Sequence, residues 1–210
     1  MIKNHWKTLL ITSLVILLPI LFGVYLWDQL PEQVPFHWNL QGEVDDWVSK
    51  PVAVFAMPPF LLAIQWLCVV ATLSDPKKDN HASKILSLVF WLIPLISTVL
   101  HVFIYAVALG KNVPIESFLP IFMGLLFTVI GNFLPKAKQN YTIGIKIPWT
   151  LNSEENWNKT HRLAGWVWTF CGLTMMATAF LGIVWILIGL ALTMVFVPLI
   201  YSYVLYRKGI

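Results

Sequence analysis

Five stretches of this chain contain no Asp, Glu, Lys or Arg: residues 9–26, 51–73, 85–109, 117–134 and 163–206. A hydrocarbon core about 30 Å thick is crossed by roughly 20 apolar residues in a helix. Backbone groups in lipid must be satisfied within their own segment, which makes a helix the default for each stretch. The first four predict one helix each. The fifth is long enough for two, with a tight turn near residues 180–183. The expected fold is all-α: one polytopic membrane domain over 1–210 with six transmembrane helices. These fall at about 9–27, 51–73, 85–109, 117–134, 163–181 and 184–206, with substantial loops at 28–50 and 135–162. Only 11% of residues are charged and 58% are hydrophobic, whereas a soluble domain carries about a quarter charged residues.

Orientation follows from the basic residues. Of the 14 Lys and Arg, only Lys50 and Lys111 fall in the loops after odd-numbered spans. Lys3, Lys7, Lys77, Lys78, Lys84, Lys136, Lys138, Lys146, Lys159, Arg162, Arg207 and Lys208 all fall on the other side. The positive-inside rule then predicts both termini in the cytoplasm, the loop 28–50 outside and the loop 135–162 inside. A net charge of +4 and a pI near 9.1 are topology signals beside an anionic leaflet and call for no nucleic acid. The apolar run after Lys7 lacks a small-residue cleavage site and reads as an uncleaved first helix. Cys68 and Cys171 lie inside spans, where a thiol acts as a small hydrophobe.

Two loops concentrate the distinctive side chains. The outer one carries Pro35, His37, Trp38, Asn39, Gly42, Glu43 and Asp45, with Asp28, Glu32 and Asp46 making it acidic. Pro, Asn and Gly in this order predict a turn-rich loop closed by Asx-turns. In the inner loop, residues 140–149 predict extended or turned chain along the headgroups, with Tyr141 and Trp149 at the interface. Its second half predicts a helix capped by Asn152 with Glu155 in a capping box, running unbroken into span five. Trp157, His161, Ala164 and Trp168 share one helical face. Gly124 and Gly131, Gly165 and Gly172, and Gly182 and Gly189 are each spaced to lie on one face, where small residues let helices approach.

The outer loop resembles the module that opens proteins of the Sdp-type immunity family, through Leu30, Pro31, Val34, Pro35, His37, Trp38, Asn39, Gly42, Glu43, Asp45, Ser49 and Lys50. The inner loop is similar to that family's second signature. It matches at Gly131, Asn132, Leu134, Pro135, Lys136, Asn140, Gly144, Ile145, Pro148, Trp149, Thr150, Leu151, Ser153, Glu154, Trp157, Thr160, His161, Arg162 and Gly165. Lys146-Ile147 stands where Arg-Thr is expected; the charge is kept but bidentate pairing is lost. The resemblance implies a non-catalytic bacterial cell-membrane protein that protects against a secreted, membrane-active peptide toxin. It also implies signal transduction through a small DNA-binding repressor held at the membrane. On that reading the outer residues Pro35, His37, Trp38, Asn39, Gly42, Glu43 and Asp45 form a recognition loop. Asn140, Gly144, Lys146, Pro148, Trp149, Trp157, Thr160, His161 and Arg162 form a surface for lipid or a partner protein.

Two other classes stay open on the residues. A metal-dependent enzyme would use His37, Glu43, Asp45 and Asp46, but no helical ligand spacing such as H-E-x-x-H accompanies them. No metal or cofactor is called for, and His161 reads more simply as a helix residue stacked on Trp157 than as a general base. A transporter or translocator of a peptide or small apolar molecule remains the alternative. Coupled carriers keep ionisable groups in the membrane, and here His101 is the one such group deep in a span, beside the polar Gln65.

Overall fold

A computed structural model describes residues 2–210, with side chains from His5 onward. Met1 and the side chain of Lys3, one of the basic residues counted above, lie outside it. The chain divides into two compact units.

The first unit comprises Met1–Leu73 and Leu86–Pro114. It holds helix α1 (Ile2–Tyr25), strands β1 (Gln33–Trp38) and β2 (Val44–Ser49), helix α2 (Met57–Leu73) and most of helix α3 (Ser83–Ala108). Its buried apolar cluster is Leu9, Val69, Leu73, Leu86 and Phe90. Polar side chains tie the helices together. Ser97 donates to the Ile16 carbonyl at 3.2 Å, Trp66 to Ser13 Oγ at 3.2 Å and Gln65 to the Phe90 carbonyl at 2.9 Å. Bonds of this kind average about 0.6 kcal/mol in membrane helices, so they set register more than they hold the unit together. Large apolar residues such as Leu14, Leu21, Leu67 and Val102 are exposed, the outcome expected for faces that meet lipid. A π-helical turn at Val52–Ala56 leads into α2.

The second unit comprises Ser74–Ile85 and Ile115–Ile210. Helix α4 (Ile115–Phe133) packs on helix α6 (Glu154–Ala177), which packs on helix α7 (Val184–Arg207); a short helix α5 (Pro148–Asn152) precedes α6. The α4–α6 contact is built on glycine. A Cβ on Gly124 would come 2.5 Å from the Gly172 carbonyl, and one on Gly131 2.9 Å from the Gly165 carbonyl. The close approach predicted from small residues therefore holds for these two pairs. It fails for Gly189, which has nothing within 4 Å, and Gly182 sits instead in the α6–α7 turn at φ 64.

The structure differs from the expected reading at three points. The chain is mostly helical but not all-α, because the outer loop contains an antiparallel two-stranded hairpin. Among the described residues, five helices are long and apolar enough to cross a membrane: His5–Tyr25, Val52–Leu73, Ser83–Ala108, Ile115–Lys136 and Val184–Arg207. The expected span at 163–181 is not one of them. It is part of α6, whose N-terminal turns are polar and whose later part carries Gly165, Thr169, Gly172 and Thr174. The helix does run unbroken from the loop, as its face pattern predicts. Its N-cap is Ser153, accepting from the Asn156 N–H, and not Asn152, which is the last residue of α5.

Candidate functional site

Two regions gather the polar chemistry. In the first unit, β1 pairs with β2 through Gln33–Ser49, Val34–Val48, Pro35–Trp47, His37–Asp46 and Trp38–Val44, with irregularities on both sides of His37. Such bulges bend and twist a strand and re-aim its side chains. The connecting turn is built by Asn39. Its Oδ1 accepts from the Gln41 and Glu43 N–H groups at 2.9 Å, and its Nδ2 donates to Glu43 at 3.2 Å. Gly42 takes φ 79, a conformation that favours glycine. His37 Nδ1 lies 2.6 Å from Asp45 Oδ1, both exposed. Trp38 meets Phe103 of α3 at 5.3 Å, Pro35 is buried, and Phe36, Leu40 and Trp47 are exposed.

Lys50 anchors the base of the hairpin. It is only 6% exposed, and its ammonium donates to the Trp27 and Leu30 carbonyls at 3.3 and 3.1 Å, pairs with Glu32 at 2.8 Å and lies over the Trp27 ring. A buried cation needs such full pairing. Lys50 thus acts as a structural clamp.

The second region clasps the 74–85 segment to the 136–161 segment within the second unit. Asp75 accepts from the Lys77 N–H at 2.7 Å, the Tyr141 N–H at 2.9 Å and the Thr142 hydroxyl at 2.8 Å, and lies 3.6 Å from His81. Burial alone would raise its pKa; these donors and the His81 charge outweigh burial and hold it below the usual 3.8. Gln139 accepts from Lys77 Nζ at 2.5 Å and donates to the Thr150 and Leu151 carbonyls at 3.0 Å. Asn140 closes the loop on itself, accepting from Thr142 and Ile143 N–H groups and donating to the Lys138 and Ile143 carbonyls.

His161 and Trp157 seal the clasp against α6. Their rings stack at 4.0 Å. Trp157 Nε1 donates to the Ala137 carbonyl at 2.7 Å. His161 Nδ1 lies 2.8 Å from the Trp157 carbonyl, so it carries the proton, and Nε2 accepts from the Ile145 N–H at 2.9 Å. Burial pushes the imidazole down to about 4, against the smaller opposing effect of the Trp157 carbonyl. Gly144, at φ 123, passes directly over this ring pair, and a Cβ there would collide with His161 Nε2. Further along α6, Asn156 accepts from Ser202 Oγ at 2.5 Å and Thr160 at 3.1 Å, and donates to the Ser202 carbonyl.

The predicted inner-surface residues therefore split in two. Asn140, Trp157, Thr160 and His161 are buried, so their side chains hold the segment together and offer no contact surface. Lys146, Pro148 and Arg162 are exposed, and Trp149 is half-buried against Tyr206 and Tyr203. The His161 lone pair is committed to Ile145, which removes the simplest general-base reading. Sequence reasoning missed Asp75, His81, Gln139 and Thr142. Only the Asp75-Pro76 turn signal was visible, and nothing in the sequence paired it with residues more than sixty positions away. Among the described residues no group of three His, Cys, Asp or Glu is placed to hold a metal ion.

Fold and sites define a multi-pass membrane protein with a hairpin between its first two helices and a polar clasp leading into its last two. The SdpI/YfhL protein family matches residues 136–202, and a domain of unknown function, DUF1648, matches residues 14–62. The first match begins in the clasp and the second contains the hairpin. The chain is 29% identical to the Immunity protein SdpI of Bacillus subtilis (strain 168), over 96% of this chain and 97% of that protein. The resemblance to the Sdp-type immunity family is thus shown. No solved structure matches.

Proposed function

We propose that this chain is a non-enzymatic immunity protein of the bacterial cytoplasmic membrane that protects its cell from a secreted, membrane-active peptide toxin. The observation that carries this is the nearly full-length similarity to the Immunity protein SdpI. The hairpin supports it: exposed Phe36, Leu40 and Trp47 beside Glu43, Asp45 and Asp46 suit an apolar, cationic peptide. The spent hydrogen-bonding capacity of the clasp supports a role without catalysis. In this reading α6 is the sixth crossing. Residues 163–181, the apolar part of α6 and the turn after it, make that crossing, which brings Arg207 and Lys208 to the same side as Lys136–Arg162, as the charge bias requires. Both termini are then cytoplasmic and the hairpin is outside.

A second role, capture of a small DNA-binding repressor at the inner face, is favoured by one feature. Lys146 and Arg162 are exposed and Trp149 is half-buried, and aromatic and Arg side chains are the usual anchors of small interfaces. The test of the main proposal is expression in a toxin-sensitive bacterium lacking its own immunity gene. Survival under toxin challenge is expected. Killing at wild-type sensitivity, with the protein present in the membrane, would refute it. For topology, a cysteine at Gln41 in a cysteine-free background should react with an impermeant thiol reagent on intact cells, and one at Asn152 should not.

A further inference from the structure

In the second unit, α5 and the C-terminal end of α7 border a pocket of about 500 Å3, a volume usual for small-molecule sites. Pro148, Trp149 and Asn152 of α5, the α6 N-cap Ser153, and Tyr206 and Ile210 line it. The apolar run of α7, a helix long enough to cross a membrane, ends at Tyr206, before Arg207 and Lys208. The pocket therefore lies at headgroup depth, where Trp and Tyr side chains belong, whichever way the chain is oriented.

Its walls are held in place. The Trp149 ring lies near-parallel to that of Tyr206, at 25° and 5.8 Å, and meets the Tyr203 ring edge-on at 5.6 Å. The Ile210 N–H donates to the Leu205 carbonyl and its carbonyl accepts from Asn156 Nδ2, both at 3.1 Å. The polar side chains at the pocket are neutral and have capacity to spare. The Asn152 amide and the Tyr206 hydroxyl belong to exposed residues, and no hydrogen bond among the described residues uses them. The Ser153 hydroxyl accepts from the Asn156 N–H at 3.1 Å and keeps its own proton to donate. None of the lining side chains is charged. Arg207 and Lys208 do not line the pocket, and the Arg207 guanidinium reaches back to the Tyr203 hydroxyl at 3.4 Å.

This chemistry narrows the occupant. A phosphate head calls for Arg or Lys donors. An ammonium head calls for a carboxylate or several open aromatic faces; no acidic side chain lines the pocket, and Trp149 and Tyr206 turn faces to each other. A neutral sugar ring fits better. Its C–H face packs on an aromatic, and its hydroxyls both donate and accept, matching an amide and two hydroxyls. Leu192, Phe196, Ile200 and Tyr203 continue from Trp149 along one face of α7 at helical-turn spacing, and all are exposed. That face offers acyl chains a continuous apolar track.

We propose that this pocket binds the sugar head of a neutral hexosyl diacylglycerol of the surrounding leaflet, with the tails of the lipid along that face of α7. The site is independent of the immunity reading.

The test uses the full chain in phosphatidylcholine nanodiscs doped with one guest lipid at a time: monoglucosyl diacylglycerol, phosphatidylglycerol or plain diacylglycerol, all with the same tails. Lipid retained by the protein is read by native mass spectrometry. The glucosyl lipid should bind about tenfold more tightly than either other guest. Asn152→Leu, which leaves the ring cluster in place, should narrow that preference, and Trp149→Leu should abolish it. Trp185→Leu, at an exposed aromatic near the other end of α7, should leave it unchanged. Methyl glucoside in the buffer, at the concentration of the guest, should displace little of the lipid, because it has no tails. Equal affinities for the three guests, an undiminished preference in Asn152→Leu, a preference surviving in Trp149→Leu, or its loss in Trp185→Leu would each overturn the assignment. Full displacement by methyl glucoside would overturn it in favour of a soluble sugar.

Discussion

The hairpin and the clasp are both rich in polar side chains, yet they are built in opposite ways. In the hairpin the bonds are local: His37 reaches Asp45 and Asn39 reaches Glu43, all on exposed side chains. In the clasp they are long-range and centre on the buried Asp75 and Gln139: Asp75 reaches Tyr141 and Thr142, and Lys77 reaches Gln139. An exposed ion pair is worth about 0–1 kcal/mol. A buried acceptor or donor left alone costs about 1–3 kcal/mol. The hairpin can therefore vary its outward side chains one at a time, whereas the clasp tolerates little change. The comparison shifts the inner segment from a surface to a support, with only Lys146, Pro148, Trp149 and Arg162 left to face outward.

The largest test of this contrast is Gly144→Val beside Gly42→Val. Both glycines have positive φ, but only Gly144 also lies against a buried ring pair. Gly144→Val should cost roughly 3–4 kcal/mol, from backbone strain and overpacking together. Gly42→Val should cost roughly 1–2 kcal/mol. Thermal unfolding of the purified protein in detergent reads both. Equal losses would erase the distinction.

Acid should separate the two parts of the clasp. The His161 imidazole is held near 4 when folded, below its ordinary 6.5. Between these values the unfolded chain binds more protons. Stability is therefore full above about pH 6.5 and falls as the pH drops toward 4, by roughly 3 kcal/mol at the limit. Asp75, also lowered when folded, keeps its contribution above about pH 3.8 and loses it only as the pH falls further. Stability measured against pH should show both losses, and His161→Phe should flatten the upper one alone. An upper slope that persists in His161→Phe would assign it to another group.

Trp157→Phe is a milder probe. It keeps the stack on His161 but strips the donor from the Ala137 carbonyl, and should cost about 1–3 kcal/mol. His37→Ala, in the hairpin, should cost less than about 1 kcal/mol. If it nevertheless abolishes protection from toxin at normal protein level, the loss belongs to recognition and not to folding.

The same contrast explains what was legible in the sequence. Long charge-free stretches mark helices because hydrocarbon admits little else, and the glycine spacing marked the faces on which α4 and α6 meet, without pairing the two helices. The hairpin was hidden because Pro35, the bulges at His37 and the adjacent Asp45-Asp46 break the period-two pattern of a strand. Asn152 and Ser153 are both good caps, and the choice was decided by α5, which takes Asn152 as its last residue. The clasp could not be seen at all. Its partners are joined by folding, across intervals that no local pattern spans.

The smallest expected effect on stability tests what remains of the inner surface. Lys146→Ala and Arg162→Ala remove exposed charges that take no part in the clasp bonds described above, so each should change stability by no more than about 0.5 kcal/mol. Trp157→Ala is unsuitable for this purpose, because burial of its ring makes loss of folding inseparable from loss of contact. The double variant Lys146→Ala/Arg162→Ala should still protect cells from toxin, since on the proposed topology the toxin meets the other side of the membrane. If a repressor docks on the inner face, induction of the operon should fall at the same time. Loss of induction with protection retained would place the two activities on separate surfaces. Loss of protection by this double variant, at normal level and stability, would mean that the exposed rim of the clasp serves protection itself, and the division between a recognising hairpin and a supporting clasp would have to be redrawn.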